Sequence, residues 1–151
     1  MKKYQEELNK FVEIEEKLEG LIESYPAEKR EEILFDKWSL KDVVAHLNHW
    51  MIHDIDCLEN LLRGDEPFWE PDVEEFNQRG VEERKNRPWD ELYSEFIGLI
   101  KQLASLYKNL PEDLQNKRFW KDKTETPLTF LREDINHWEA GHIPFLESNL
   151  K

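Results

Sequence analysis

The sequence predicts an all-α protein, an up–down four-helix bundle with one long crossover, folded as a single domain over residues 1–151. Four long segments carry apolar residues three and four positions apart, which is the spacing of an amphipathic helix. Turn and capping residues separate these segments. No segment alternates apolar and polar residues as a half-buried strand does. A chain of 151 residues is suited to one hydrophobic core.

The first two helices have clear limits in the sequence. The first spans residues 2 to about 25 and ends before Pro26. The second begins after Ser39, a favourable N-cap that is followed three residues later by Asp42, as in a capping box. Its apolar stripe continues to Leu62. Gly64 then supplies the left-handed residue that commonly ends a helix.

The middle of the chain holds two helical segments of different strength. Residues 72 to about 86 are weakly amphipathic, whereas residues 88 to about 110 carry a strong apolar stripe. Pro88 lies between the segments and interrupts helical hydrogen bonding. The two segments therefore form either one kinked helix or two separate helices.

A long loop precedes the last helix. It spans residues 111–127, about 17 residues, and connections of this length often cover a functional site. A plain connection across the end of the bundle is the other interpretation. Thr126 and Pro127 then begin a helix that we expect to reach about Leu150.

Charge and composition exclude several classes of partner. The formal net charge is −13, which repels nucleic acid backbones and anionic membrane surfaces, so we expect no nucleic acid and no membrane partner. No apolar run is long enough to span a bilayer, and no signal peptide is evident at the N-terminus. The only cysteine, Cys57, allows no internal disulfide. We therefore expect a cytoplasmic protein.

The second helix carries three histidines and one unusual aspartate. His46 lies on the flank of the apolar stripe, whereas His49 and His53 lie further round, toward solvent. Three histidines at this spacing on one helix are more typical of a polar flank than of a metal site. Asp54 falls in the middle of the apolar stripe, where a carboxylate requires a partner or a wet cavity.

The last helix carries two histidines at an unusual spacing. Leu128, Leu131, Ile135, Trp138, Phe145 and Leu146 define its apolar face. His142 lies at the centre of that face, where it requires a hydrogen bond or a metal. His137 is five residues away, which on a regular α-helix separates the two side chains by about 140°.

A π-bulge between His137 and His142 would bring both side chains toward His46. Gly141 weakens the helix there, and Pro144 removes one backbone donor and clashes with the preceding turn. A bulge accommodates one extra residue and is frequent at functional sites. The alternative is that His137 points to solvent and the site is degenerate.

Two motifs resemble one family. The segment from Trp38 to Leu47 is similar to the start of the second helix of the DinB/YfiT-like metalloenzyme superfamily. The segment from Asn136 to Pro144 resembles the closing helix of its colibactin self-resistance-like branch. The resemblance implies an up–down four-helix bundle, often homodimeric. It also implies a divalent metal, nickel, zinc or iron, on a histidine triad that corresponds here to His46, His137 and His142.

The resemblance also implies function, because some family members are thiol S-transferases or hydrolases. We therefore predict a metal-dependent enzyme acting on a small-molecule substrate, with Asp54 and Glu139 as candidate bases or as residues that orient the metal ligands. The alternatives are a non-enzymatic protein that binds or protects against small molecules, with a degenerate metal site, and a purely structural dimer. Aromatic residues of two loops either wall a pocket or pack across the bundle end or a dimer interface. They are Phe68, Trp69, Phe119 and Trp120.

Overall fold

The computed structural model describes residues 2–35 and 37–149, and the prediction of an all-α protein is confirmed. The helices are α1 (Lys2–Ser24), α2 (Leu40–Arg63), α3 (Val73–Arg84), α4 (Trp89–Asn109), α5 (Pro127–Asn136) and α6 (Ile143–Asn149). A π-helical turn, His137–His142, joins α5 to α6. The predicted end of the last helix at Leu150 lies outside the described residues.

The helices pack as a bundle around one apolar core. α2 contacts α3 and α4, and α1 contacts α4, α5 and α6. Large side chains with almost no exposed surface fill the centre, among them Phe11, Phe96 and Tyr107. Burial of this apolar surface is the main favourable contribution to folding. Within the described residues, no helix combines the length and apolar character needed to cross a membrane.

The limits of α2 follow from the capping residues that the sequence indicates. The Asp42 amide donates to Ser39 Oγ at 3.1 Å, and the Ser39 amide donates to Asp42 Oδ2 at 3.0 Å. Gly64 adopts φ 82°, and the following amide, of Asp65, donates to the Asn60 carbonyl at 2.9 Å. The capping box and the glycine terminus are both confirmed.

Residues 33–39 contain a feature that the sequence analysis did not expect. β1 (Ile33–Phe35) and β2 (Trp38–Ser39) form a short antiparallel ladder, with Ile33 opposite Ser39. Two or three residues are too few for an alternating pattern to be visible in a sequence. The ladder leads into α2 and places the Trp38 ring 4.8 Å from the His46 ring, measured between ring centroids.

The segment after Pro71 forms two helices, which settles the alternative left open by the sequence. α3 ends before Pro88, and α4 begins after it. The loop from residue 111 to residue 126 is ordered by its own contacts, including a 3₁₀ turn, Glu112–Leu114. Its Trp120 is buried, and the indole Nε1–H donates to the Pro67 carbonyl at 2.6 Å. This contact ties the loop to the α2–α3 connection.

Candidate metal centre and cavity

Three histidines from two helical segments converge at one point. Nε2 of His137 lies 3.3 Å from Nε2 of His46 and 2.8 Å from Nε2 of His142. One ligand nitrogen from each ring lies within 4.8 Å of the other two. His46 is buried, and the other two side chains are half-buried. The structure therefore brings together all three histidines that the sequence singled out as metal ligands.

The π-helical turn explains how histidines five residues apart meet. In a π-helix the amide of residue i+5 donates to the carbonyl of residue i, so each turn holds one more residue than an α-helical turn. The Ile143 amide donates to the Trp138 carbonyl in this pattern. The His137 and His142 rings consequently lie 4.4 Å apart, centroid to centroid. The predicted bulge between these two residues is present.

The same extra residue changes which side chains of α6 are buried. The sequence analysis placed Phe145 on the buried face together with Leu146. Leu146 is buried, but Phe145 is 57% exposed, so the prediction for Phe145 is wrong. One inserted residue advances the helix by about 100°. Ile143 therefore takes the buried position instead.

Burial keeps the three imidazoles neutral. Desolvation, with a further contribution from the neighbouring His137, lowers the pKa of His46 to about 3. Desolvation also lowers the pKa of His142 to about 2 and lowers the pKa of His137. A neutral imidazole is the form that binds a metal, so the cluster is in its ligand form at neutral pH.

The spacing of the nitrogens fits a small divalent metal. Two imidazoles bound tetrahedrally to zinc at about 2.0–2.1 Å have nitrogens roughly 3.3 Å apart. The His46 and His137 nitrogens match this separation at 3.3 Å. The His137 and His142 nitrogens, at 2.8 Å, lie at the distance of a hydrogen bond between neutral rings. An increase of about half an ångström in this separation would match the zinc geometry.

The outer nitrogen of His46 has an unusual environment. Nδ1 is buried and has no hydrogen-bond partner in the described part of the chain, whereas metal-bound histidines usually donate this proton. Glu139 lies on the surface, where its half-exposed carboxylate is 3.7 Å from Lys10 Nζ. It is not among the residues that line the cavity. A role for Glu139 as a base or in orienting a ligand stays a prediction.

The triad lies in the wall of a cavity of about 590 Å³. Cavities of this size accommodate small organic ligands. Six aromatic residues line it: Trp38, Trp50, Trp69, Trp120, Phe130 and Trp138. Of the loop aromatics in the sequence prediction, Trp69 and Trp120 belong to the wall, whereas Phe119 is buried and Phe68 is exposed. The pocket interpretation is therefore correct for two of the four.

A pair of carboxyl groups lies in the same cavity, of which Asp54 is buried and Asp134 half-buried. Desolvation raises the pKa of Asp54 to about 7, and it raises the pKa of Asp134 well above its usual range. The two carboxyl groups share a hydrogen bond, and Asp134 Oδ2 also accepts from the Tyr107 hydroxyl at 2.8 Å. His53 Nδ1 lies 3.3 Å from Asp54 Oδ1. Asp54 thus has both the partner and the cavity that its buried position requires.

The sequence analysis did not identify Asp134, although a signal was present. Asp134 lies three residues after Leu131 and four before Trp138, so it falls on the apolar stripe of the last helix. A charged residue at a core position was recognised at Asp54. The same reasoning applied to α5 would have found its partner.

His49 and His53 do not face solvent, which corrects the sequence analysis. Both are half-buried because α3 packs over that side of α2. The His49 ring packs at a tilt against Phe76, with 4.2 Å between ring centroids, and its Nδ1 lies 3.0 Å from Arg84 Nη1. Burial and the charge of Arg84 lower the pKa of His49. Neither residue joins the triad.

Comparisons with protein-family models, with curated proteins and with solved structures found no match. The family resemblance, the homodimer and the cytoplasmic location therefore stay predictions. Any statement about function depends on the geometry of the triad and the cavity.

Proposed function

We propose that the protein is a metal-dependent enzyme with a DinB-like four-helix bundle, a hydrolase or thiol S-transferase acting on a small molecule. The observation that carries the proposal is the convergence of three neutral imidazole nitrogens in the wall of an aromatic cavity. Imidazole donors suit zinc, nickel and iron. His46, His137 and His142 would hold the metal.

The surrounding structure positions the three imidazoles for metal binding. Helix α2 presents His46 rigidly from its second turn, and the π-helical turn holds the other two imidazoles on one side. The Trp38 ring packs against His46. A metal bound there supplies a Lewis acid, which polarises a substrate and lowers the pKa of a water or thiol at the site. Three protein ligands leave coordination positions for the reactants.

Metal content tests this proposal directly. Untagged protein, purified without chelator, should contain about one transition metal per chain by elemental mass spectrometry, or take it up from zinc, nickel or iron salts. His142→Ala should lose this metal and keep its helical circular dichroism spectrum. His49→Ala is the matched control, because His49 lies on α2 outside the triad and contacts Phe76. Protein that takes up none of the three metals, or a His142→Ala variant that keeps its metal, would overturn the proposal.

One observation favours a second candidate function. Most of the cavity wall is formed by aromatic and acidic side chains other than the triad, so a non-enzymatic protein that binds or sequesters a small molecule would need only this part of the site. Such a protein would bind its ligand equally well in the presence of a chelator. Trp69→Ala or Trp120→Ala would weaken that binding, whereas His142→Ala would leave it unchanged.

A further inference from the structure

The cavity contains acidic groups that the proposed metal chemistry does not use. Its lining residues, all in the described part of the chain, include no lysine or arginine. Five of them bear carboxyl groups: Asp54, Glu70, Glu125, Glu133 and Asp134. Arg79 compensates Glu70, with Nη2 at 3.2 Å from Oε2. Within the described residues, no lysine or arginine forms an ion pair with the other four.

One of these acids has a buried oxygen without a partner, and two more have only neutral partners. Glu125 Oε2 is buried without a hydrogen-bond partner in the described part of the chain. The Asp54 and Asp134 pair has the Tyr107 hydroxyl and the His53 ring as neighbours, which supply hydrogen bonds but no permanent positive charge. Buried carboxylates are normally paired with a cation. Without a cation, burial raises the pKa of both Asp54 and Asp134, and an ammonium group beside the pair would favour its ionised form.

The aromatic wall is suited to the same kind of ligand. A cation above the face of a tryptophan ring is attracted by the negative charge of that face. Trp69 already makes such a contact on one side, where Lys123 Nζ lies 4.6 Å from its ring centroid. Trp50 and Trp120 add further indole rings to the lining. Aromatic walls with uncompensated carboxylates are the combination that recognises organic ammonium groups.

The distance between the acid pair and the triad sets the length of the ligand. His46 and Asp54 are eight residues apart on α2, which at 1.5 Å per residue corresponds to about 12 Å along the helix axis, whereas Asp134 and His137 are three residues apart, about 4.5 Å. Both residues line the same cavity. One elongated molecule can therefore place one end at the triad and the other at the carboxyl pair.

We propose that the cavity takes an apolar organic cation, with its ammonium group against Asp54 and Asp134 and its apolar body against the tryptophans. As a statement about substrate class, this inference rests on the proposed function. As a statement about binding, it requires the cavity and the carboxyl pair but not the metal. The two can therefore be tested separately.

Three probes of similar shape and different charge provide the test. They are 2-(1-naphthyl)ethylammonium, 2-(1-naphthyl)ethanol and 3-(1-naphthyl)propanoate, titrated by calorimetry at low ionic strength and neutral pH. Wild-type protein should bind the ammonium compound roughly tenfold or more tightly than the alcohol, and the alcohol more tightly than the carboxylate. This comparison uses wild-type protein alone and does not depend on the folding of any variant.

Two double variants distinguish contact of the cation with Asp54 and Asp134 from long-range attraction by the acidic surface of the protein. Asp54→Asn/Asp134→Asn keeps the shape of both side chains and should reduce the affinity for the ammonium probe to that for the alcohol. Glu6→Gln/Glu13→Gln is the matched control, because it removes two exposed acids from α1, which contributes no residue to the cavity lining. The control should keep the preference for the cation.

His142→Ala distinguishes failure of this inference from failure of the proposed function. Preference for the cation that survives in His142→Ala or in chelator supports the inference whether or not the wild-type protein holds metal. Metal binding without any preference for the cation would leave the proposed function standing and overturn the inference. Equal affinity for the ammonium compound and the alcohol would also overturn it, as would the absence of binding by all three probes.

Discussion

Replacing Gly80 with alanine should destabilise the packing of α3 on α2, which closes one side of the cavity. A Cβ at this position would lie 2.6 Å from Cγ and 2.7 Å from Cβ of His49. The Cβ of His49 is fixed to the backbone of α2, so rotation of the side chain cannot relieve the overlap. Restoring an ordinary contact of 3.4 Å requires the helices to separate by about 0.8 Å.

The expected size of the effect follows from two opposing contributions. Overpacking a well-filled site costs about 1–3 kcal/mol, and the severity of this overlap favours the upper value. Alanine is better than glycine within a helix by about 1 kcal/mol. The net loss in the free energy of unfolding is therefore about 2 kcal/mol. With an m-value of about 2 kcal/mol per molar, the urea midpoint falls by roughly 1 M.

Urea unfolding followed by circular dichroism measures this difference, and Gly98→Ala provides the control. Gly98 is exposed on α4, and a Cβ there would meet nothing within 4 Å. It should therefore raise the free energy of unfolding by about 0.5–1 kcal/mol. If Gly80→Ala proves as stable as wild type, or moves in the same direction as Gly98→Ala, then α3 does not pack on α2 as closely as described.

Three further predictions concern the buried polar groups. Because burial raises the pKa of Asp54 to about 7, this carboxyl group holds a proton in the folded state that it loses in the unfolded chain between about pH 4 and 7, so its own contribution to the free energy of unfolding should decrease as the pH rises through this range. Asp54→Asn should remove this contribution, so the free energy of unfolding of wild type minus that of the variant, measured by urea unfolding at several pH values, should decrease from about pH 4 to pH 7. A difference that does not change with pH would contradict it. Tyr107→Phe leaves Asp134 Oδ2 without its 2.8 Å donor and should cost about 1–3 kcal/mol in the same assay, so a loss within error of zero would exclude the bond. Trp120→Phe removes the hydrogen bond to the Pro67 carbonyl and should cost about 1 kcal/mol, with faster amide hydrogen exchange confined to the two joined loops.

Local signals in the sequence were sufficient to predict features that a single helix or turn determines. The limits of α2 depend on Ser39, Asp42 and Gly64, whose preferences act within a few residues of each. The π-helical turn was also predictable, because the spacing of His137 and His142 is inconsistent with a regular helix that turns both inward. In these cases the relevant energies are properties of a short segment.

The predictions of burial were wrong where a second helix packs over the surface of the first. His49 and His53 lie on a polar flank of α2, and a helical projection of α2 alone places them in water. Helix α3 covers them because Gly80 permits a close approach to His49, but a weak apolar pattern in residues 73–84 gave little indication of that contact. The burial of a polar flank depends on which helix packs against it, so the sequence of that flank alone cannot predict it.

The cavity combines two polar groups whose placement follows from the pairing of α2 with the last helical segment. Along α2 the order is His46 and then Asp54, whereas their partners follow in the reverse order, Asp134 and then His137. The two segments therefore run antiparallel along the cavity, with imidazoles at one end and carboxyl groups at the other. A π-helical turn changes the angular position, about the helix axis, of the side chains after it but not of those before it. It can therefore align His142 with His137 while Asp134 keeps its place opposite Asp54, which is why one inserted residue can complete the triad and leave the acid pair intact.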